Sequence, residues 1–158
     1  MERQRYERGH FVTWLPTSHR YTTDHVWLAS GPTEGSEPRW RVGLTAFALR
    51  LLGELVECEF TVPPGGCVAP GDILGTFEGF KAVTDLISPG RGIFAGGNPA
   101  LAGGIEAVER DPHGAGWLYE FAGEPAPGTL DFEGYCRWLD QTIDRLRAGE
   151  GWPEEPVG

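Results

Sequence analysis

The chain has 158 residues, 24 of them glycine and 13 proline, with 40% apolar side chains and a formal charge of −10. That length suits one domain with room for a core, and six tryptophans with eight phenylalanines mark a globular composition, not a disordered one. The negative charge argues against a nucleic acid partner, and no apolar run approaches the length of a membrane-spanning helix.

Residues 1–20 read as an N-terminal extension, with Trp14, Leu15 and Pro16 packing it onto the domain. Arg3, Arg5, Arg8 and Arg20 alternate there with Glu2 and Glu7, without the serine-rich, acid-free character of an organelle-targeting peptide. A cytoplasmic bacterial protein is expected. Tyr21–Leu28 is rich in strand formers, and Arg39–Leu44 reads as its return strand across a loop at Gly31–Pro38. Thr45 suits the N-cap of a short helix over Ala46–Leu52, with Gly53 as its stop.

Glu54–Val62 alternates, with Val56, Cys58, Phe60 and Val62 on one face. Cys58 therefore reads as a buried strand position. Asp72–Glu78 and Val83–Ile87 form the next pair of strands, joined by Gly79-Phe80-Lys81-Ala82. Ser88–Gly92 reads as a turn before Ile93–Ala95, and Asn98–Arg110 as a loop with one helical turn. Gly116–Phe121 is the last strand. Beyond the Pro/Gly stretch 123–128 the period changes: Leu130, Tyr135, Trp138, Leu139, Ile143 and Leu146 predict a helix capped by Asp131 and ended by Gly149. Glu150–Gly158 reads as a frayed tail.

Lys81 is the only lysine; twelve arginines carry the other basic charges. A guanidinium stays protonated, whereas an amine can lose its proton and attack an activated acyl group. A lone amine at a hairpin crest therefore has the chemistry of an acylation site. A general drift from lysine to arginine would also leave one ordinary solvated lysine, and the surrounding sequence has to decide.

Other sites are poorly supported. The cysteines, Cys58, Cys67 and Cys136, are odd in number and lack C-x-x-C spacing, so neither a disulfide framework nor a zinc site is expected. His10, His19, His25 and His113 lack partners at ligand spacing and read as structural, hydrogen-bonded residues. No catalytic or metal-binding residue is assigned.

Several blocks carry a resemblance: Tyr21–Leu28, Val42–Ala48, Leu52–Val56, Glu78–Asp85, Ser88-Pro89 with Gly92, Asn98, Leu101 and Asp111–Leu118. In this order and spacing they resemble the glycine cleavage system H protein family, over about Tyr21 to Glu120. The resemblance implies a mainly β fold, a barrel-sandwich hybrid of two antiparallel sheets with short peripheral helices and a C-terminal helix. It divides the chain into the extension 1–20, a lipoyl-carrier domain 21–122, a linker and packed helix 123–150, and a tail 151–158.

The same resemblance makes Lys81 the attachment point of lipoic acid. Glu78, three residues before it, and Asp85 become recognition residues for the lipoylating enzyme. Gly79 permits the tight turn, Ala82 keeps the tip small, and Phe80 packs there. The implied protein is no enzyme. It is a monomeric carrier of an aminomethyl group, and its partners are a pyridoxal-phosphate glycine decarboxylase, a folate-dependent aminomethyltransferase and a dihydrolipoamide dehydrogenase. Several positions depart from the family, Phe47, Gly79-Phe80 and His113 among them; two of the departures, Val26 and Ala46, replace acids near the expected cleft for the loaded arm. They leave open a lipoyl carrier for another pathway, such as sulfur metabolism, and a non-acylated interaction module. Phe80 and Ala82 stand where a biotin carrier would place methionines, which makes that option weaker.

Overall fold

A computed structural model describes residues 1–31 and 37–149. Most of the expected loop at Gly31–Pro38 and all of the expected tail lie outside the described residues.

The extension is an antiparallel hairpin of β1 (Arg3–Arg8) and β2 (Phe11–Pro16). Arg8 pairs with Phe11, which leaves Gly9 and His10 as a two-residue turn with φ of 57° and 71°. Positive φ at both positions matches the twist of the flanking strands. Leu15 and Pro16 are buried as expected, but Trp14 is 55% exposed because it faces the other way along the pleat.

The expected strand at Tyr21–Leu28 is two strands, β3 (Arg20–Tyr21) and β4 (Val26–Ser30). Thr22 and His25 close the turn between them, with the His25 amide on the Thr22 carbonyl and His25 at φ 66°. β5 (Arg39–Leu44) pairs with β4, and Trp27 opposes Gly43. A side chain at Gly43 would strike the indole, so glycine there is what lets Trp27 lie across the sheet. Helix α1 (Ala46–Leu52) follows, capped by the Thr45 hydroxyl at 3.3 Å from the Ala48 amide and stopped by Gly53 at φ 82°.

β6 (Leu55–Phe60) pairs with β8 (Ile73–Gly79), which pairs with β9 (Val83–Ile87). A register shift at Val56 breaks the expected alternation: Leu55 turns into the core and Val56 is 53% exposed. Cys58 is half-buried. The short strand β7 (Cys67–Val68) pairs with β10 (Gly90–Gly97). Gly90 and Gly92, expected in a turn, belong to β10 instead. A Cβ at either would collide with the Glu124 or Ala122 carbonyl on β11 (Tyr119–Pro125), so these glycines serve close strand packing. Between β10 and β11 lie a 3-10 turn (Pro99–Gly103) and α2 (Glu106–Arg110). α3 (Phe132–Ala148) is capped by the Asp131 carboxylate and closed at Gly149, as its period predicts.

The expected barrel-sandwich hybrid of two sheets is corrected by the topology. The fold is mixed α and β, and among the described residues none of its antiparallel sheets closes into a barrel. The strand orders are β3-β4-β5-β11-β10-β7, β6-β8-β9 and the hairpin β1-β2. Closure would need hydrogen bonds between the end strands of a sheet, but β3 and β7 stay at opposite ends of the large sheet, and β6 and β9 at opposite ends of the small one.

Two apolar clusters hold the layers together. One joins Leu28, Val42, Phe94 and Phe121 of the large sheet to Leu55, Leu74, Phe77 and Leu86 of the small one. The other joins Trp27 and Tyr21 to Phe47, the hairpin residues Tyr6, Phe11 and Leu15, and Tyr135, Leu139 and Ile143 of α3. Leu28 and Trp27 are neighbours in β4 and serve opposite clusters, so both faces of the large sheet are covered.

Candidate functional site

Lys81 lies in the connection between β8 and β9, where Glu78 pairs with Val83 and the Gly79 amide donates to the Ala82 carbonyl at 2.8 Å. The tip does not hang free. The Lys81 and Ala82 amides both donate to the Leu52 carbonyl at the end of α1, at 2.8 and 3.2 Å, and the Phe80 amide donates to the Glu54 carbonyl at 2.8 Å. The last helical carbonyls lack partners within their own helix, and the hairpin satisfies one of them. Gly53 completes the joint, because a Cβ there would lie 2.9 Å from the Lys81 nitrogen. The outcome is a backbone fixed at every tip amide under an exposed lysine side chain.

Gly79 works differently from the expectation. Its φ is not in the left-handed region; what it supplies is room, since a Cβ would collide with the Leu52 carbonyl. Phe80 is 84% exposed and does not pack at the tip, because its amide is drawn to Glu54 while its ring points to solvent. Ala82 is exposed and small.

Glu78 and Asp85 are both exposed. The pairs Glu78–Val83 and Thr76–Asp85 put them on the same outer face of the small sheet, together with Glu57 opposite Glu78. Among the described residues Glu78 makes no hydrogen bond or ion pair, so its carboxylate is available to a partner.

A cleft of about 310 Å³ opens between α1, the β3–β4 turn and β9, with Asp24, Val26, Leu44, Leu51 and Asp85 in its wall. Val26 is thus where the resemblance puts a cleft residue. Ala46 is not. It lines a second groove on the other side of α1, so only one of the two departures bears on the cleft.

Three of the histidines are structural. His25 Nδ1 is 2.9 Å from the Tyr135 hydroxyl, and burial lowers its pKa to about 4. His19 Nε2 donates to the His113 carbonyl at 2.8 Å, so its proton is on Nε2. His113 Nε2 accepts from the Ala46 amide at 3.1 Å, which puts its proton on Nδ1, and burial lowers it to about 4 as well. His10 departs from the expectation, since it is an exposed turn residue.

Sequence reasoning missed the Leu52 and Glu54 carbonyls and the second groove. Backbone acceptors have no residue signature, and the groove forms only once the N-terminal hairpin is in place.

The model of the family described as "Glycine cleavage H-protein" matches residues 19–126. The chain belongs to the glycine cleavage H-protein family. The glycine cleavage system H protein of Corynebacterium jeikeium is 34% identical over 125 residues, covering 78% of this chain and 96% of that one. That of Thermobifida fusca is 38% identical over 116 residues, covering 71% and 86%. The crystal structure of a glycine cleavage system H protein from Mycobacterium marinum aligns with TM-score 0.69 and 31% identity, over 82% of this chain and 99% of that one. As a member of the family this chain is a lipoyl-group carrier of glycine cleavage, with lipoic acid as its cofactor. It is not itself an enzyme. Among the described residues no helix is long and apolar enough to cross a membrane.

Proposed function

We propose that Lys81 carries lipoic acid in amide linkage and ferries an aminomethyl group between the decarboxylase and the folate-dependent transferase of glycine cleavage. One observation carries this: the family attaches its cofactor to a lysine, and this chain's single lysine is exposed on a tip whose amides donate three backbone hydrogen bonds to the Leu52 and Glu54 carbonyls. When bound, lipoic acid supplies a dithiolane that opens to two thiols, one of which takes the cargo. Lys81 supplies the tether. The Leu52 carbonyl holds the tether's base, so that motion is confined to the side chain and its extension.

Glu78 and Asp85 act in recognition by the lipoylating enzyme; their shared exposed face supports that role. Asp24 and Asp85 line the cleft and can face a protonated aminomethyl group even though Val26 is apolar. The further partner is a dihydrolipoamide dehydrogenase that reoxidises the dithiol by thiol–disulfide exchange. A monomer in the cytoplasm suits a shuttle that visits three enzymes. Residues 21–122 form the carrier domain in this reading, with 123–150 packed on it.

Val26 in the cleft wall is the one observation that favours another cargo. The deciding experiment is reconstitution of lipoylated protein with the decarboxylase. Glycine-dependent exchange of carbon dioxide is expected, and a fully lipoylated sample that supports none would refute the glycine cleavage role.

A further inference from the structure

Lys81 borders a second concavity that the family's cleft does not include. It is a groove of about 680 Å³ between α1, α2 and the N-terminal hairpin, within the range of about 300–1,000 Å³ usual for small-molecule sites. Phe11 and Val12 of β2, Leu49 of α1, Leu55 of β6, and Val108 and Pro112 near α2 make its walls apolar. Its charged residues are Arg50, Glu54, Glu109 and Lys81 itself, whose charge amidation would remove. Two side chains bordering it, Val12 at 45% and Phe80 at 84% exposure, leave apolar surface in water that an apolar occupant would cover.

The base of the tether points to this groove and not to the cleft. Lys81, Phe80 and Gly53 all line the groove, whereas none of the three lines the cleft. The Lys81 stem runs beside Gly53, where a Cβ would come within 3.0 Å of the lysine Cγ, so the missing side chain opens the way. The two concavities also differ in charge. Asp24 and Asp85 stand in the cleft with no Lys or Arg among its lining residues, which suits a cationic cargo, while in the groove Arg50 offsets the carboxylates Glu54 and Glu109 and the apolar walls suit an uncharged chain of methylenes.

We propose that the groove is the resting site of the lipoyl arm in its uncharged, cargo-free disulfide form, with the N-terminal hairpin as its outer wall. The occupant is the chain's own acyl arm, because its anchor is one of the groove's lining residues. Phe11 and Val12 lie outside the residues 19–126 that the family model matches, so this wall is contributed by the chain's own extension. The inference rests on attachment at Lys81 and adds a second station to the shuttle: groove when empty, cleft when loaded.

The test uses full-length protein lipoylated in vitro and checked by intact mass. Methyl NMR of lipoylated against unmodified protein is expected to shift Val12, Leu49 and Val108 and to leave Val26, Leu44 and Leu51 in place. In parallel, a water-soluble phosphine is expected to reduce the arm's disulfide about tenfold more slowly than that of free lipoamide, as for an arm sheltered about nine-tenths of the time. Val12→Asp, at an exposed wall position, should bring the rate back to that of lipoamide. A lipoyl mass increment with shifts in the cleft methyls, or with a wild-type rate equal to that of lipoamide, overturns the groove and leaves the attachment standing. A rate unmoved by Val12→Asp also overturns it. No mass increment overturns the attachment, and the groove with it.

Discussion

Removing the Thr45 hydroxyl should loosen the joint that supports the lysine hairpin. Thr45 is fully buried, and its Oγ1 is 3.3 Å from the Ala48 amide and 2.8 Å from the Tyr135 hydroxyl. That hydroxyl also meets His25 Nδ1 at 2.9 Å, so one network ties the β3–β4 turn, α1 and α3 together. Thr45→Ala removes an N-cap, worth about 1 kcal/mol. It also takes away one of the two partners of a buried phenol, about 1 kcal/mol, and leaves a small void, about 0.5–1 kcal/mol. The sum is about 2.5–3 kcal/mol, or about 5–12 °C in Tm for a chain of this size. Urea unfolding and a thermal melt would measure it, with Thr45→Ser as the comparison because it keeps the hydroxyl. Thr45→Ser should recover most of the loss. The reasoning fails if Thr45→Ala unfolds like wild type, or if the serine variant is no better than the alanine one.

Two further outcomes are expected. Glu78→Ala should slow lipoylation about tenfold or more while changing stability by no more than about 0.5 kcal/mol, as for other exposed positions; an unchanged modification rate would remove the recognition role. The second concerns pH. His25 and His113 are held near 4 by burial, below the unfolded value of about 6.5, and His19 is lowered in the same direction. The unfolded chain therefore binds more protons between about pH 4 and 6.5, and stability falls as pH drops through that window, by about 2 kcal/mol from pH 7 to pH 5 for each of His25 and His113. Equal urea midpoints at pH 7 and pH 5 would contradict the buried, neutral assignment.

Local chemistry explains which elements the sequence revealed. Thr45, Gly53, Asp131 and Gly149 act through their own side chains, or the lack of one, and the helices begin and end where those residues predict. The β8–β9 hairpin was legible because a turn sits between two strand-like runs, and Lys81 because it has no competitor. Features that depend on distant partners were hidden. Gly90 and Gly92 look like turn residues until the Glu124 and Ala122 carbonyls are brought against them. The Val56 bulge reverses a face in a way that alternation cannot signal. The N-terminal hairpin has a polar first strand, and its burial depends on contacts to α3 more than 100 residues away, such as Tyr6 Oη donating to Asp140 at 2.7 Å. For the same reason the second groove, with one wall from the N-terminal hairpin and the others from α1 and α2, could not be read in advance.

The account depends most on one acyl bond. Intact mass of protein treated with a lipoylating enzyme and lipoate should rise by a single lipoyl group, and Lys81→Arg should show no increase while folding normally. An unchanged wild-type mass, or a lipoyl increment that persists in Lys81→Arg, would contradict the assignment.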